Sequence, residues 1–188
     1  MLRPLLIAVL AMSLIPIAHA APGPKGKDAV WFPIREGDTR VYEVRVGDKA
    51  ESTYTDVVKK VEKKHAALHV TIHRDYPGST PYVTIIAVTD EGLFRVAVNG
   101  KEFAKPIQLL KTPPKVGTKW ELDGGARYEV TKEEDVEVPA GKFKAVRVEQ
   151  VNGGTTTTLW FAPTVGLVKM AVGGSAQVTV LKEFKPGK

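Results

Sequence analysis

From Val30 onward, apolar residues recur at every second position, and the residues carrying that period are rich in valine, threonine, tyrosine and tryptophan, which suit a pleated sheet. Arg40 to Val46 alternates through Tyr42, Val44 and Val46, and Leu68 to His73 through Leu68, Val70 and Ile72 until Tyr76-Pro77-Gly78-Ser79 breaks the run. Tyr82 to Thr89 is denser in apolar side chains, as expected of a central strand covered on both faces. Asp90-Glu91-Gly92 turns the chain into Leu93 to Val98, and Asn99-Gly100 is a hairpin signal because both residues tolerate positive φ. After Pro113-Pro114 a second series predicts strands at Trp120 to Leu122, Tyr128 to Val138, Phe143 to Val151, Thr155 to Phe161, Leu167 to Val172 and Ala176 to Phe184. The pattern gives about ten strands and assigns none to the segment after Gly100.

One segment has two readings. Between Asp56 and Leu68, Val57, Val58, Val61, His65 and Leu68 fall at helical spacing among lysines and glutamates. The three valines and the neighbouring strands favour instead a polar strand ending near Lys60, a turn around Lys63-Lys64 and a new strand from Ala67. A chain with at most one short helix cannot supply the crossovers of a parallel sheet, so the predicted class is mainly β and antiparallel. A repeat is also visible. Pro33 to Thr39 and Pro113 to Lys119 share a proline, a three-residue gap, a glycine and a polar approach to a strand. No apolar-poor linker separates the halves, so residues 30–185 are expected to form a single domain.

The start of the chain has a different character. Arg3, the apolar run Leu5 to Leu14 and the small-x-small pattern Ala18-His19-Ala20 predict a signal peptide over residues 1–20, cleaved after Ala20. The run is too short for a transmembrane anchor, and no other stretch of the mature chain could serve as one. Residues 21–29, beginning Ala21-Pro22-Gly23-Pro24, predict a disordered tail. The expected location is the periplasm or the extracellular space. The absence of cysteine excludes disulfides, thiol chemistry and a lipidated N-terminal cysteine in cis. The formal charge of +6 is modest, and an exported chain is not expected to bind nucleic acid.

Candidate chemistry is sparse, and no cofactor is expected. His65, His69 and His73 are evenly spaced, but on a strand each pair would lie roughly 13 Å apart, too far for one metal ion. Ser52, Ser79 and Ser175 lie outside any nucleophile elbow. The acidic run Glu133-Glu134-Asp135 with Glu137 offers carboxylates for a hydrolase, or simply a charged solvent face. No catalytic, cofactor-binding or metal-ligating residue is assigned. Trp31, Trp120 and Trp160 are the candidates for lining a ligand cavity or for packing a core.

Two blocks carry a resemblance. Val138-Pro139-Ala140-Gly141-Lys142-Phe143, followed by Trp160-Phe161-Ala162-Pro163-Thr164-Val165-Gly166-Leu167-Val168-Lys169, resembles the TapB-like bacterial secreted proteins, a family of unknown function. Trp31 to Asp38 is similar to the "FPLxxG" segment of those proteins, with Arg40 standing where they carry an aromatic. The resemblance implies an exported antiparallel domain shaped as a curved open sheet or incomplete barrel, akin to periplasmic lipoprotein carriers; a β-sandwich is the alternative. It brings no catalytic residue. The expected function is non-enzymatic binding of an envelope protein partner or an apolar ligand. The alternatives are a lipid or lipoprotein carrier and an envelope glycan hydrolase.

Overall fold

The computed structural model describes residues 30–188, so the signal peptide and tail read at 1–20 and 21–29 lie outside it. Twelve strands follow one another: β1 Thr39–Val46, β2 Lys49–Lys64, β3 Ala67–Asp75, β4 Tyr82–Thr89, β5 Gly92–Val98 and β6 Lys101–Lys111 form the first six. The second six are β7 Lys119–Glu121, β8 Arg127–Val138, β9 Gly141–Asn152, β10 Thr155–Ala162, β11 Gly166–Val172 and β12 Gln177–Lys185. Each pairs antiparallel with its sequence neighbours, except that β6 and β7 do not pair and β1 pairs with β12. The result is a single antiparallel sheet, as the pattern predicts, curled into a nearly closed barrel, the incomplete barrel that the resemblance implies, with no helix among the described residues.

The ambiguous segment is strand. β2 continues to Lys64, and His65, at φ 52°, turns the chain into β3. β6 is the strand the pattern did not assign. Charged residues and Pro106 dilute its period, and its free edge is where a proline, which cannot donate to a ladder, is tolerated.

The sequence repeat corresponds to a repeat in the meander. Gly37 and Gly117 both sit at φ 86°, a left-handed conformation suited to glycine. Gly37 N–H donates to the Val58 carbonyl and Gly117 N–H to that of Val130, both at 2.8 Å. The return bonds match as well: Val58 N–H to the Asp38 carbonyl and Val130 N–H to that of Thr118, both at 2.9 Å. Val58 and Val130 are buried at equivalent positions. Each six-stranded half thus begins with the same turn locked onto its second strand.

Because strand direction alternates, the turn Pro163–Gly166, the start of β1 and the end of β12 share one end of the barrel. That end is packed. Val58, Val70, Ile86, Leu93, Leu110 and Val130 form the main cluster together with Phe32 from the segment before β1. A second cluster gathers Val168 and Leu181 with Val136 and Val138, where the tip of the β8–β9 hairpin folds over and Ala140 N–H donates to the Leu181 carbonyl.

Candidate functional site

Toward the other end the barrel is hollow. A partly open cavity of about 910 Å³ takes lining residues from every strand except β12. This is near the upper end of the size range of small-molecule sites. Its apolar wall includes Ile86, Phe94, Ile107, Leu159, Phe161 and Met170, and its rim includes Tyr82, Lys105, Asp123 and Asn152.

Ionisable groups are set into this wall by register. Arg40 on β1 lies directly opposite Asp56 on β2, and Asp56 lies opposite Arg74 on β3, so three charged side chains form one cross-strand row. Asp56, with its side chain only 4% exposed, accepts Arg74 Nε at 2.7 Å, Arg74 Nη2 at 2.9 Å and Arg40 Nη2 at 3.2 Å. Arg40 Nη1 also donates to the Val165 carbonyl at 3.3 Å, and its guanidinium lies 5.1 Å from the centre of the Phe32 ring. Gly166 makes room for this. A Cβ there would come within 3.0 Å of Arg40 Nη1, so the Pro163–Gly166 turn is shaped around that guanidinium. Arg74 sits 4.3 Å over the ring of Tyr54, which stacks on Tyr42 at 5.0 Å. Charges this deeply buried persist only when paired and hydrogen-bonded, and this row is both.

The adjacent phenols are held neutral. Burial pushes the Tyr42 hydroxyl up to about 12, against the opposing pull of Arg40, and the hydroxyl donates to the Leu167 carbonyl at 2.6 Å. Burial also raises the Tyr54 hydroxyl.

A further cation stands apart. Arg95 on β5 lines the cavity between Ile86 of β4 and Ile107 of β6, its partners in register. Among the described residues it has no salt-bridge partner, and its Nε is buried without a hydrogen bond. It is near enough to Tyr128 for its charge to oppose the upward shift that burial gives that phenol.

The three tryptophans do not line this cavity. Trp120 is buried, stacks on Tyr128 at 5.0 Å, and donates from Nε1 to the Gln108 carbonyl of β6 at 3.3 Å. Trp31 is partly buried against the main cluster. Trp160 alternates with the cavity residues Leu159 and Phe161 and faces the other way, with Lys169 Nζ 5.0 Å from its ring and Glu134 accepting its Nε1–H at 2.8 Å. Lys132 and then Trp160 hold the Glu134 carboxyl below its ordinary range, the opposite of what a general acid needs. Glu137 pairs with Lys142 at the hairpin tip. His65 lies in the β2–β3 turn, whereas His69 and His73 lie on β3.

Arg40, Asp56, Arg74 and Arg95 were not among the sequence candidates. A signal existed for each. Arg40 is in phase with Tyr42, Asp56 with Tyr54 and Val58, Arg74 with Val70 and Ile72, and Arg95 with Leu93 and Ala97. An ionisable residue in step with the inward face of a strand is one that the fold must partner or use.

No family model matches the chain, and no curated protein matches it by sequence, so the TapB-like assignment has no support from either. The fold is shared with solved structures, among them the following two. One is a Bacteroides fragilis protein whose description gives it as exported, with a YmcC-like fold; it is 15% identical, with a TM-score of 0.62, over 84% of this chain and 99% of that one. The other, described as a lipoprotein of Parabacteroides distasonis, is 16% identical, with a TM-score of 0.55, over 84% of this chain and 99% of that one. At these identities the likeness is one of fold. No helix of the described residues is long and apolar enough to cross a membrane.

Proposed function

We propose that this protein is an exported, non-enzymatic binding domain that holds an apolar or amphipathic ligand inside its barrel. The observation that carries the reading is the cavity of about 910 Å³, lined on both halves of the sheet by aliphatic and aromatic side chains. A folded chain of this size could fill such a space with its own residues, as it does at the packed end, and leaving it open forgoes that stabilisation. The leader over residues 1–20 supports export, and the exported and lipoprotein descriptions of the two fold relatives agree with it. Between the binding modes expected from the sequence, the interior cavity favours a small ligand over a protein partner, and a lipid carrier is the form it fits best.

The test is binding of an environment-sensitive apolar fluorophore to the mature protein, alongside native mass spectrometry of material from its own host. Saturable binding is expected, with Met170→Trp, which projects a larger ring into the cavity, abolishing it while the melting temperature holds. Absence of saturable binding by the folded wild-type protein would refute the reading.

A further inference from the structure

We infer that Arg95 is the anchor for the anionic head of an amphiphilic ligand, whose apolar chain lies along the cavity wall. The inference rests on the reading of the barrel as a ligand-binding cavity and adds to it the chemistry of the ligand.

Two of the cavity's cations are already engaged. Arg40 and Arg74 share Asp56, and each also lies over an aromatic ring, so their donors and charge are largely committed. Arg95 is different. A guanidinium has five N–H donors and stays charged at any ordinary pH, so holding it partly buried beside isoleucines, with its Nε enclosed and no acid at hand, is costly. Ile86 and Ile107, its neighbours in register, offer no acceptor side chain. The structure contains a useful control in Arg147, whose Nε is also buried without a hydrogen bond. Arg147 faces away from the cavity with Trp160, and its charge is met by Glu149 at 2.6 Å. Only the cavity-facing one of these two arginines lacks a carboxylate among the described residues.

The remaining chemistry fits one ligand class. Three acids line the cavity: Asp56 is held by two arginines, Asp123 at the rim by Lys105, and Glu121, exposed on β7, makes no salt bridge with Arg95, so the four lining cations Arg40, Arg74, Arg95 and Lys105 outnumber the acids. The free charge facing the interior at Arg95 is therefore positive, and it is surrounded by Phe94, Ile107 and Leu109 on neighbouring positions of the same wall. A neutral hydrocarbon would leave that guanidinium unpaired, whereas a carboxylate or phosphate would meet it with a charge-assisted, bidentate bond. A long-chain anion thus satisfies both parts of the wall at once.

The experiment measures displacement of the fluorophore from the wild-type mature protein and from Arg95→Gln by four amphiphiles of equal chain length: dodecanoate, dodecyl phosphate, dodecanol and dodecyltrimethylammonium. The wild type is expected to bind dodecanoate, dodecyl phosphate or both at least about tenfold more tightly than dodecanol, and Arg95→Gln to remove that margin while leaving dodecanol unchanged. Preference for dodecanoate would point to a free fatty acid, and preference for dodecyl phosphate to a phosphate-headed lipid. Equal binding of dodecanol and both anions, or a margin that survives Arg95→Gln, would overturn the inference while leaving the cavity reading intact. Failure of all four to displace a bound fluorophore would overturn the inference, and failure of the fluorophore itself to bind would overturn the reading beneath it. Should Arg95→Gln fold poorly, Arg95→Lys, which keeps the charge but loses the bidentate fork, is expected to retain part of the margin; complete loss in a well-folded Arg95→Lys is compatible only with recognition by the fork.

Discussion

The two halves of the barrel meet twice, and the two meetings differ. Along β1 and β12 they join through a ladder that runs from Thr39 opposite Lys185 to Val46 opposite Gln177, with one register shift between Val41 and Tyr42. The repeat would place an equivalent ladder between β7 and β6, yet β7 is only three residues long, because Leu122-Asp123-Gly124-Gly125 turns the chain away, with Gly125 N–H bonding to the Leu122 carbonyl. Side chains bridge the gap: Trp120 Nε1 to the Gln108 carbonyl, Lys111 Nζ to the Lys119 carbonyl, and the Lys105–Asp123 pair. The two edges face residues of the cavity, since Lys105 to Leu109 and Glu121 to Gly124 all line it. One junction therefore carries the structure and the other forms a seam beside the cavity. A sheet can be closed where it must be stable and left unladdered where it must admit something.

Three perturbations test this contrast, in falling order of effect. Asp56→Ala, beside the laddered junction, leaves one buried guanidinium group, Arg40, and one partly buried, Arg74, without their acid. A loss of about 3–5 kcal/mol in urea unfolding is expected, whereas a change below 1 kcal/mol would show that the row is not needed to hold the barrel. Next is a pH effect on the same junction, where Tyr42 lies opposite Leu181. Its folded pKa of about 12 is raised above the unfolded value near 10, so the folded state keeps the proton that the unfolded state loses. Stability is then constant below about pH 10 and falls as pH rises through the folded pKa, by on the order of 2–3 kcal/mol. Denaturation midpoints from pH 8 to 12 should fall less steeply in Tyr42→Phe than in the wild type. Smallest is the seam. Trp120→Phe removes the Nε1 donor across the gap, with an expected cost of about 1–2 kcal/mol and faster release of bound fluorophore in stopped-flow measurements. Unchanged release would mean that the seam is not the route.

Most of the fold was legible because it is written locally. Alternation located the strands, and Asn99-Gly100, at φ 47° and 78°, is the hairpin its residues demand. The turn after β2 came two residues later than expected, since lysines and glutamates are as acceptable on an exposed strand end as in a turn. The site was less legible. Asp56 meets residues 16 and 18 positions away, and the meeting depends on the register of β1, β2 and β3, including a bulge in β2 that no local pattern announces. Arg40 stood out only as a departure from the aromatic of a resembling pattern, and it proves to be the most enclosed cation of the row. The tryptophans drew attention by size, yet their large apolar surfaces were used to cover the sheet and to cross the seam.

The packed end has a practical consequence. Thr164 N–H donates to the carbonyl of Val30 at 2.6 Å, and Gly187 N–H donates to Asp38 Oδ1 at 2.7 Å, with no room for a side chain at Gly187 against the Glu36 carbonyl. Both ends of the described chain are therefore fastened to the base of the barrel, on the side away from Tyr82, Asp123 and Asn152. A tag, a fluorophore or a surface linkage attached at either end would leave the mouth pointing outward. The molecule can thus be immobilised by either end of residues 30–188 for single-molecule or biosensor work without covering the mouth of the cavity.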